Sequence, residues 1–253
     1  MDLPKNRFKA ALKAGQRQIG IWCSIPDPNN IELLANCGYD WLLIDTEHTP
    51  IESTEAVALL RAAEPYPTTP IVRPGWNDMV DIKRLLDGGA QSLLIPYVQS
   101  ADEARAAVAA VRYPPRGMRG VSGLSRASRF GAIKDYNIRA EEEICLLLQL
   151  ETVEAIEHLD EICTIDGVDG VFIGPADLAA SMGHLGNAGH PEVRAKIVET
   201  IRRLTAAGMP AGFLSADQQM ARAAADAGAL FVAVDLDTAL LRRSAVARRE
   251  EWR

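Results

Sequence analysis

The side chains able to do chemistry stand where short apolar runs give out. Gln149 and Glu151 follow the run Ile144 to Leu148, and because they are two residues apart their side chains point to one side of a strand, the side that also carries Cys145 and Leu147. About twenty residues on, Val171-Phe172-Ile173 stops at Gly174-Pro175, and Asp177 follows. Two carboxylates from neighbouring strands, with waters and a substrate's oxygens, complete an octahedral shell for a hard divalent cation. Mg²⁺ or Mn²⁺ suits such a shell better than structural Zn²⁺, since no Cys or His cluster stands nearby. The plainer readings are that Asp177 caps a helix and Glu151 makes a salt bridge at the rim.

Arg73 ends another apolar run and is followed by Pro74-Gly75. Its guanidinium stays protonated near neutral pH, so it offers a fixed positive charge for a developing oxyanion; the alternative is a surface ion pair. His48 lies three residues after Asp45 and just before Thr49-Pro50-Ile51-Glu52, which reads as a capping box with proline at the first helical position. A histidine held near a carboxylate is a general-base candidate near pH 7. The other histidines, His158, His184 and His190, read as solvated. None of the six lysines ends a strand, so no Schiff-base nucleophile is on offer. A divalent cation, a fixed arginine and a histidine base suit forming and protonating an enolate next to a carboxylate, with carbon-carbon cleavage or formation to follow.

Positioning these groups requires many short buried strands whose ends meet. The predicted strands are Ile19–Ser24, Trp41–Asp45, Ile71–Arg73, Ser92–Pro96, Ile144–Leu150, Gly170–Ile173, Ala211–Leu214 and Leu230–Val234. Helical patterns intervene, among them Thr54–Ala63, Met79–Asp87, Val153–Ile162 and Thr238–Ala247, at intervals that match strand-helix units. Runs of Val, Ile, Leu and Phe with little alternation fit strands buried on both faces. The expected fold is therefore α/β, a single (β/α)8 TIM barrel over residues 1–253, with catalytic groups at the carboxyl ends of the strands. A doubly wound sheet is the alternative, but Cys23-Ser24-Ile25-Pro26-Asp27 holds no glycine-rich turn.

Composition excludes several other classes. With 48% hydrophobic and 24% charged residues the chain is an ordinary globule with a sizeable core. A net charge of −7 argues against nucleic acid, and no apolar run spans a membrane. The first twenty residues lack a signal-type apolar block, and Cys23, Cys37, Cys145 and Cys163 are scattered, so a cytoplasmic, reducing setting is expected. Arg112–Lys134 is too long for an ordinary connection; its Arg116, Arg119, Arg126 and Arg129 face either an anionic substrate or a subunit neighbour.

Several stretches carry a resemblance that covers essentially the whole chain. They are residues 38–45, Glu47-His48, Val72-Arg73-Pro74, Tyr113-Pro114-Pro115-Arg116-Gly117, Gln149-Leu150-Glu151-Thr152 and Gly167 to Leu178. They resemble the HpcH/HpaI family of metal-dependent pyruvate aldolases, whose barrels are of the phosphoenolpyruvate/pyruvate-domain type. The resemblance implies Glu151 and Asp177 as ligands of a divalent cation (Mg²⁺, Mn²⁺ or Co²⁺) and no organic cofactor. It implies His48 as proton acceptor, with Asp45 or Asp87 as its partner, the latter across a subunit boundary, and Arg73 as transition-state stabiliser. Gln149, Gly174, Pro175, Ala176, Asp177, Trp22 and Leu214 would touch the substrates, the Ala176 and Asp177 amides holding a carboxylate. Relatives form hexamers built as trimers of dimers that exchange a C-terminal helix. Departures fall at Cys23-Ser24 and Asp235, on the acceptor side, and at Ala176, where serine is common.

The expected activity is reversible cleavage of 4-hydroxy-2-oxo acids to pyruvate, or a hydroxylated analogue such as hydroxypyruvate, and an aldehyde through a metal-stabilised enolate. The rivals are a citrate-lyase-like acyl-CoA lyase and a non-catalytic, metal-dependent 2-oxo-acid binding protein.

Overall fold

The computed structural model describes all 253 residues. Eight parallel strands close in sequential order into a barrel: β1 (Gln18–Cys23), β2 (Trp41–Asp45), β3 (Thr69–Arg73), β4 (Ser92–Ile95), β5 (Cys145–Leu150), β6 (Gly170–Ile173), β7 (Ala211–Leu214) and β8 (Phe231–Leu236). The helices are α1 (Arg7–Lys13), α2 (Pro28–Ala35), α3 (Ser53–Ala63), α4 (Met79–Asp87), α5 (Ala101–Val111), α6 (Tyr136–Glu143), α7 (Val153–Glu157), α8 (Leu159–Ile162), α9 (Pro175–Ser181), α10 (Pro191–Ala206), α11 (Gln218–Asp226) and α12 (Asp237–Glu250). No helix is long and apolar enough to cross a membrane.

Strand alternation splits the core into two layers. Trp22, Trp41, Leu43, Ile71, Leu147 and Phe172 point inward and pack together, whereas Leu42, Ile44, Val72, Leu148 and Ile173 point outward to the helices. Gly20 faces Trp41 across the barrel floor, where a Cβ would lie 2.1 Å from the indole. Helix α1 plugs that floor: Phe8 meets Trp41 edge-on at 6.0 Å and Phe231 at 5.6 Å. Above these apolar layers the next inward positions are Asp45, Arg73 and Gln149, so polar residues begin at the carboxyl ends of the strands. The four cysteines are unpaired.

Four local expectations need correction. Thr49 does not cap a helix; its hydroxyl bonds the Asp45 carbonyl and accepts from the Ile51 amide at 3.2 Å, closing a turn. The capping box belongs to Glu52 and Glu55, and α3 begins at Ser53. The predicted helix over Val153–Ile162 is broken at His158 into α7 and α8. Helices α6 and α9 were not expected: α6 buries only Ala140 and Glu143, too few positions to set a period, and α9 is two turns long.

The long connection contains no strand or helix between Arg112 and Lys134. Its arginines are answered within the chain: Arg116 by Glu141 and Asp166, Arg119 by Asp87, and both Arg126 and Arg129 by Glu64. They do not face the barrel mouth as anion binders.

Candidate active site

Asp45, at the end of β2, fixes the neighbouring strand's arginine. Arg73 donates from Nε to Oδ1 at 2.9 Å and from Nη2 to Oδ2 at 2.7 Å, while its Nη1 lies 2.8 Å from Glu47. The guanidinium also rests over the Trp22 ring at 4.7 Å, and the Trp22 indole N–H donates to Asp45 at 3.2 Å. Burial would raise the Asp45 carboxyl, but these bonds outweigh it and hold the group below its ordinary value. Arg73 is buried, so its orientation is set before any ligand arrives.

Glu47 lies against this cation, and two more carboxylates, Glu151 and Asp177, stand close enough to influence Glu47 and each other. Glu151, one residue past β5, is buried; it accepts from the Gln149 side-chain amide at 2.6 Å and from the Tyr97 backbone amide at 2.9 Å. Burial, with Glu47 and Asp177 nearby, pushes its carboxyl up to about 7 against those two hydrogen bonds. Glu47 is raised for the same first reason, burial, with Arg73 opposing and Asp45 and Asp177 adding repulsion. Asp177 is carried in the first turn of α9, whose N-cap is Gly174; the helix-cap alternative for Asp177 does not hold.

These residues fit a divalent cation. Glu47, Glu151 and Asp177 crowd three carboxyl groups into a mouth where Arg73 reaches only Glu47, and the burial and repulsion that raise Glu47 and Glu151 are what a dication relieves. The backbone makes room for it as well. A Cβ on Gly174 would lie 2.2 Å from the Glu151 Oε2, so only glycine lets that carboxylate reach across from β5 to β6. The Gln149 Oε1 is buried without a partner, an acceptor left open beside the same carboxylate.

The chain gathers possible metal ligands more tightly in one other place: His184, His190 and Glu192 have ligand atoms within 4.8 Å of one another. That group has its own internal account. The two rings stack at 3.6 Å, His184 bonds Glu192 at 2.9 Å, and His190 Nδ1 accepts from the Glu192 amide as the cap of α10. Those two histidines are therefore partnered rather than simply solvated.

His48 stands apart from the cluster. Its side chain is 66% exposed, and its Nε2 lies 3.9 Å from Glu47. Asp45 reaches the His48 backbone amide, at 3.4 Å, and not the imidazole. Asp87 ends α4, which leads into the start of β4, so it sits at the opposite, amino-terminal end of the barrel and bonds Arg119 at 2.8 Å. Neither carboxylate partners the His48 ring within one chain.

Leu214 points inward beside the apolar layer, as does Leu236, because the β1–β8 pairing shifts register between Gly20 and Trp22. That shift leaves Asp235 bonded to Arg243 of α12 rather than lining the mouth. Cys23 points outward into the helical layer. Cys23 and Asp235 therefore turn away from the mouth, while Ser24 shares the parity of the inward Trp22. The Ala176 and Asp177 amides, in the first turn of α9, have no acceptor within the chain.

Two contributors went unassigned in the sequence. Glu47 shares the parity of Asp45 and pairs with Arg73, a signal that was legible. Tyr97 acts through its backbone amide at φ +53°, and a backbone donor leaves no mark in side-chain chemistry.

Comparison with known proteins places this arrangement. A family model described as HpcH/HpaI aldolase/citrate lyase matches residues 18–244. The chain is 61% identical over 252 residues to a hydroxypyruvate/pyruvate aldolase of Sagittula stellata, covering 100% of both chains. It is 54% identical over 244 residues to a 4-hydroxy-2-oxo-heptane-1,7-dioate aldolase of Shigella sonnei, covering 96% of this chain and 93% of that one. Its structure matches that of an HpcH/HpaI aldolase/citrate lyase family protein from Burkholderia cenocepacia J2315 with a TM-score of 0.94 at 35% identity, covering 98% and 99% of the two chains. With a barrel of this topology, these residues at its mouth and matches of this extent, the chain belongs to the HpcH/HpaI aldolase/citrate lyase family.

Proposed function

We propose that this protein is a class II aldolase that reversibly cleaves 4-hydroxy-2-oxo acids to pyruvate, or a hydroxylated analogue such as hydroxypyruvate, and an aldehyde. The observation that carries the reading is a pre-set, buried arginine beside three converging carboxylates at the barrel mouth. A divalent cation of the Mg²⁺ or Mn²⁺ type, with Co²⁺ as a further candidate, would be held by Glu151 and Asp177 and would supply Lewis acidity toward the oxygens of the 2-oxo acid.

The chain's own groups supply the rest. The Ala176 and Asp177 amides bind the substrate carboxylate, with Gly174 and Pro175 shaping the turn and Gln149 offering its side-chain amide. Arg73 offsets negative charge as it develops on the 2-oxo oxygen. His48, exposed on the rim, removes the proton of the 4-hydroxyl; the C3–C4 bond then breaks, its electrons stay on C3 as the enolate, and the aldehyde departs past Trp22 and Leu214. Protonation at C3 gives the 2-oxo acid. Asp45 acts by holding Arg73, and Asp87 raises the basicity of His48 from a second copy, in a homo-hexamer of dimers that exchange α12.

Solvent deuterium exchange into C3 of pyruvate tests the reading. With Mg²⁺ present, exchange is expected in the wild type and is expected to vanish with Glu151→Gln or exhaustive chelation. Exchange that persists at zero metal content overturns the metal assignment. Steady-state comparison with malyl-type thioesters separates the reading from acyl-CoA lyase activity, and the C3 exchange separates it from a pure binding protein.

A further inference from the structure

Away from the barrel mouth, the connection from α9 to α10 brings His184, His190 and Glu192 together, with one ligand-type atom of each lying within 4.8 Å of the others. The backbone sets all three in place. The His184 amide donates to the Ala179 carbonyl at 2.7 Å, the His190 amide donates to the Asn187 carbonyl at 3.0 Å, and Glu192 is carried in the first turn of α10.

Two imidazoles and one carboxylate are the donor set of a borderline transition-metal ion such as Zn²⁺, with a fourth position left to water. Mg²⁺ and Mn²⁺ prefer oxygen, which the mouth supplies instead. The His184 Nε2 and the Glu192 Oε2 lie 2.9 Å apart. Two ligands about 2.1 Å from a tetrahedral ion lie about 3.4 Å from each other, so a shift of about half an ångström admits an ion in place of the hydrogen this pair shares. The His184 and His190 rings stack at 3.6 Å and 16°. Two imidazolium charges would repel at that separation, so at least one ring is neutral, the form that ligates metal. The Glu192 amide reaches the His190 Nδ1 only at 3.3 Å, a long bond whose exchange for a cation loses little. The amino end of α10 by itself opposes a cation, and the Glu192 carboxylate offsets it.

We propose that His184, His190 and Glu192 form a second cation site, selective for Zn²⁺-like ions, that staples the α9–α10 connection. Asp177 sits in the first turn of α9 and the site lies beyond its last, a helix of seven residues or about 10 Å, so the two sites share no ligand. The proposal does not depend on the aldolase reading.

The test counts Zn²⁺ bound per chain, by equilibrium dialysis and metal analysis, in the full-length wild type, Glu151→Gln, His184→Gln and the double variant. Glutamine at 184 can still bond Glu192 but is a poor ligand, and circular dichroism reports that each variant is folded. The decisive comparison is Glu151→Gln against the double variant, which is expected to bind one Zn²⁺ fewer. In the Glu151→Gln background, His190→Asn and Glu192→Gln should each weaken Zn²⁺ in titration calorimetry by at least about 10- to 100-fold, the loss seen when even an outer partner of a ligand is removed. Asparagine is itself a good helix cap, so that variant removes the imidazole and leaves the start of α10 intact. Equal Zn²⁺ in Glu151→Gln and the double variant overturns the proposal, as does Mg²⁺ competing equally with Zn²⁺ for the ion that His184→Gln removes. A wild type whose single Zn²⁺ is lost with His184→Gln and kept with Glu151→Gln supports this site and counts against the metal at the mouth.

Discussion

Arg73 answers Asp45 and Glu47 at once, and it does so through a planar fork that lysine cannot reproduce. Arg73→Lys is therefore expected to lower kcat for retro-aldol cleavage by about 10²- to 10³-fold, the range for removing a donor aimed at a developing oxyanion. The Asp45 carboxyl, held below its ordinary value, makes stability depend on pH. Its contribution is fully present above the unfolded carboxylate value of about 4 and is lost as pH falls through the lower folded value. Denaturant melts taken down through that window should show the loss, and Asp45→Asn should flatten it. Gly174→Ala places a methyl against Glu151, so metal affinity measured by titration calorimetry should fall about 10- to 100-fold. Asp45, Arg73, Gln149 and Glu151 were legible as strand-end residues because period-two alternation fixes where they point. The three bonds that commit the Asp45 carboxylate to Arg73 and Trp22 were not, since they depend on how three neighbouring strands are registered.

Each element at this mouth is set by a different local rule. Strands β2 and β5 were readable to within a residue because burial on both faces forces unbroken apolar runs. Helix α9 was hidden: Gly174-Pro175 signals a strand stop, and the same proline opens a helix at its first position. That helix turns Asp177 toward Glu151 and leaves the Ala176 and Asp177 amides unpaired. Helix α1 lies far from the chemistry but closes the barrel floor with Phe8. Phe8→Ala should destabilise the fold by about 3–5 kcal/mol in a denaturant titration. Pyruvate exchange per folded molecule should stay unchanged, because the void opens at the end of the barrel opposite the mouth.

At the scale of the molecule, Asp87 and His48 stand at opposite ends of one barrel. A role for Asp87 in proton transfer therefore requires a second copy. Unfolding His48→Ala and Asp87→Asn proteins together and refolding the mixture should restore partial activity that neither variant shows alone. No recovery in mixed oligomers would remove Asp87 from the proton path. The arginine-rich connection is part of the same question of scale. Its charges looked available in the sequence, yet Glu64, Asp87, Glu141 and Asp166 come from remote parts of the chain to answer them.

The sequence by itself determined the barrel, its strand ends and the chemical character of the mouth, because alternation, apolar run length and glycine-proline stops are local signals with physical causes. Only the tertiary structure decided which charges meet. It gave Asp45 to Arg73 rather than His48, brought Glu47 into the carboxylate group, and moved Asp235 out of the mouth through a register shift. Pairing of this kind depends on distances between strands and on backbone donors such as the Tyr97 amide, and neither is written in the spacing of residues along one chain.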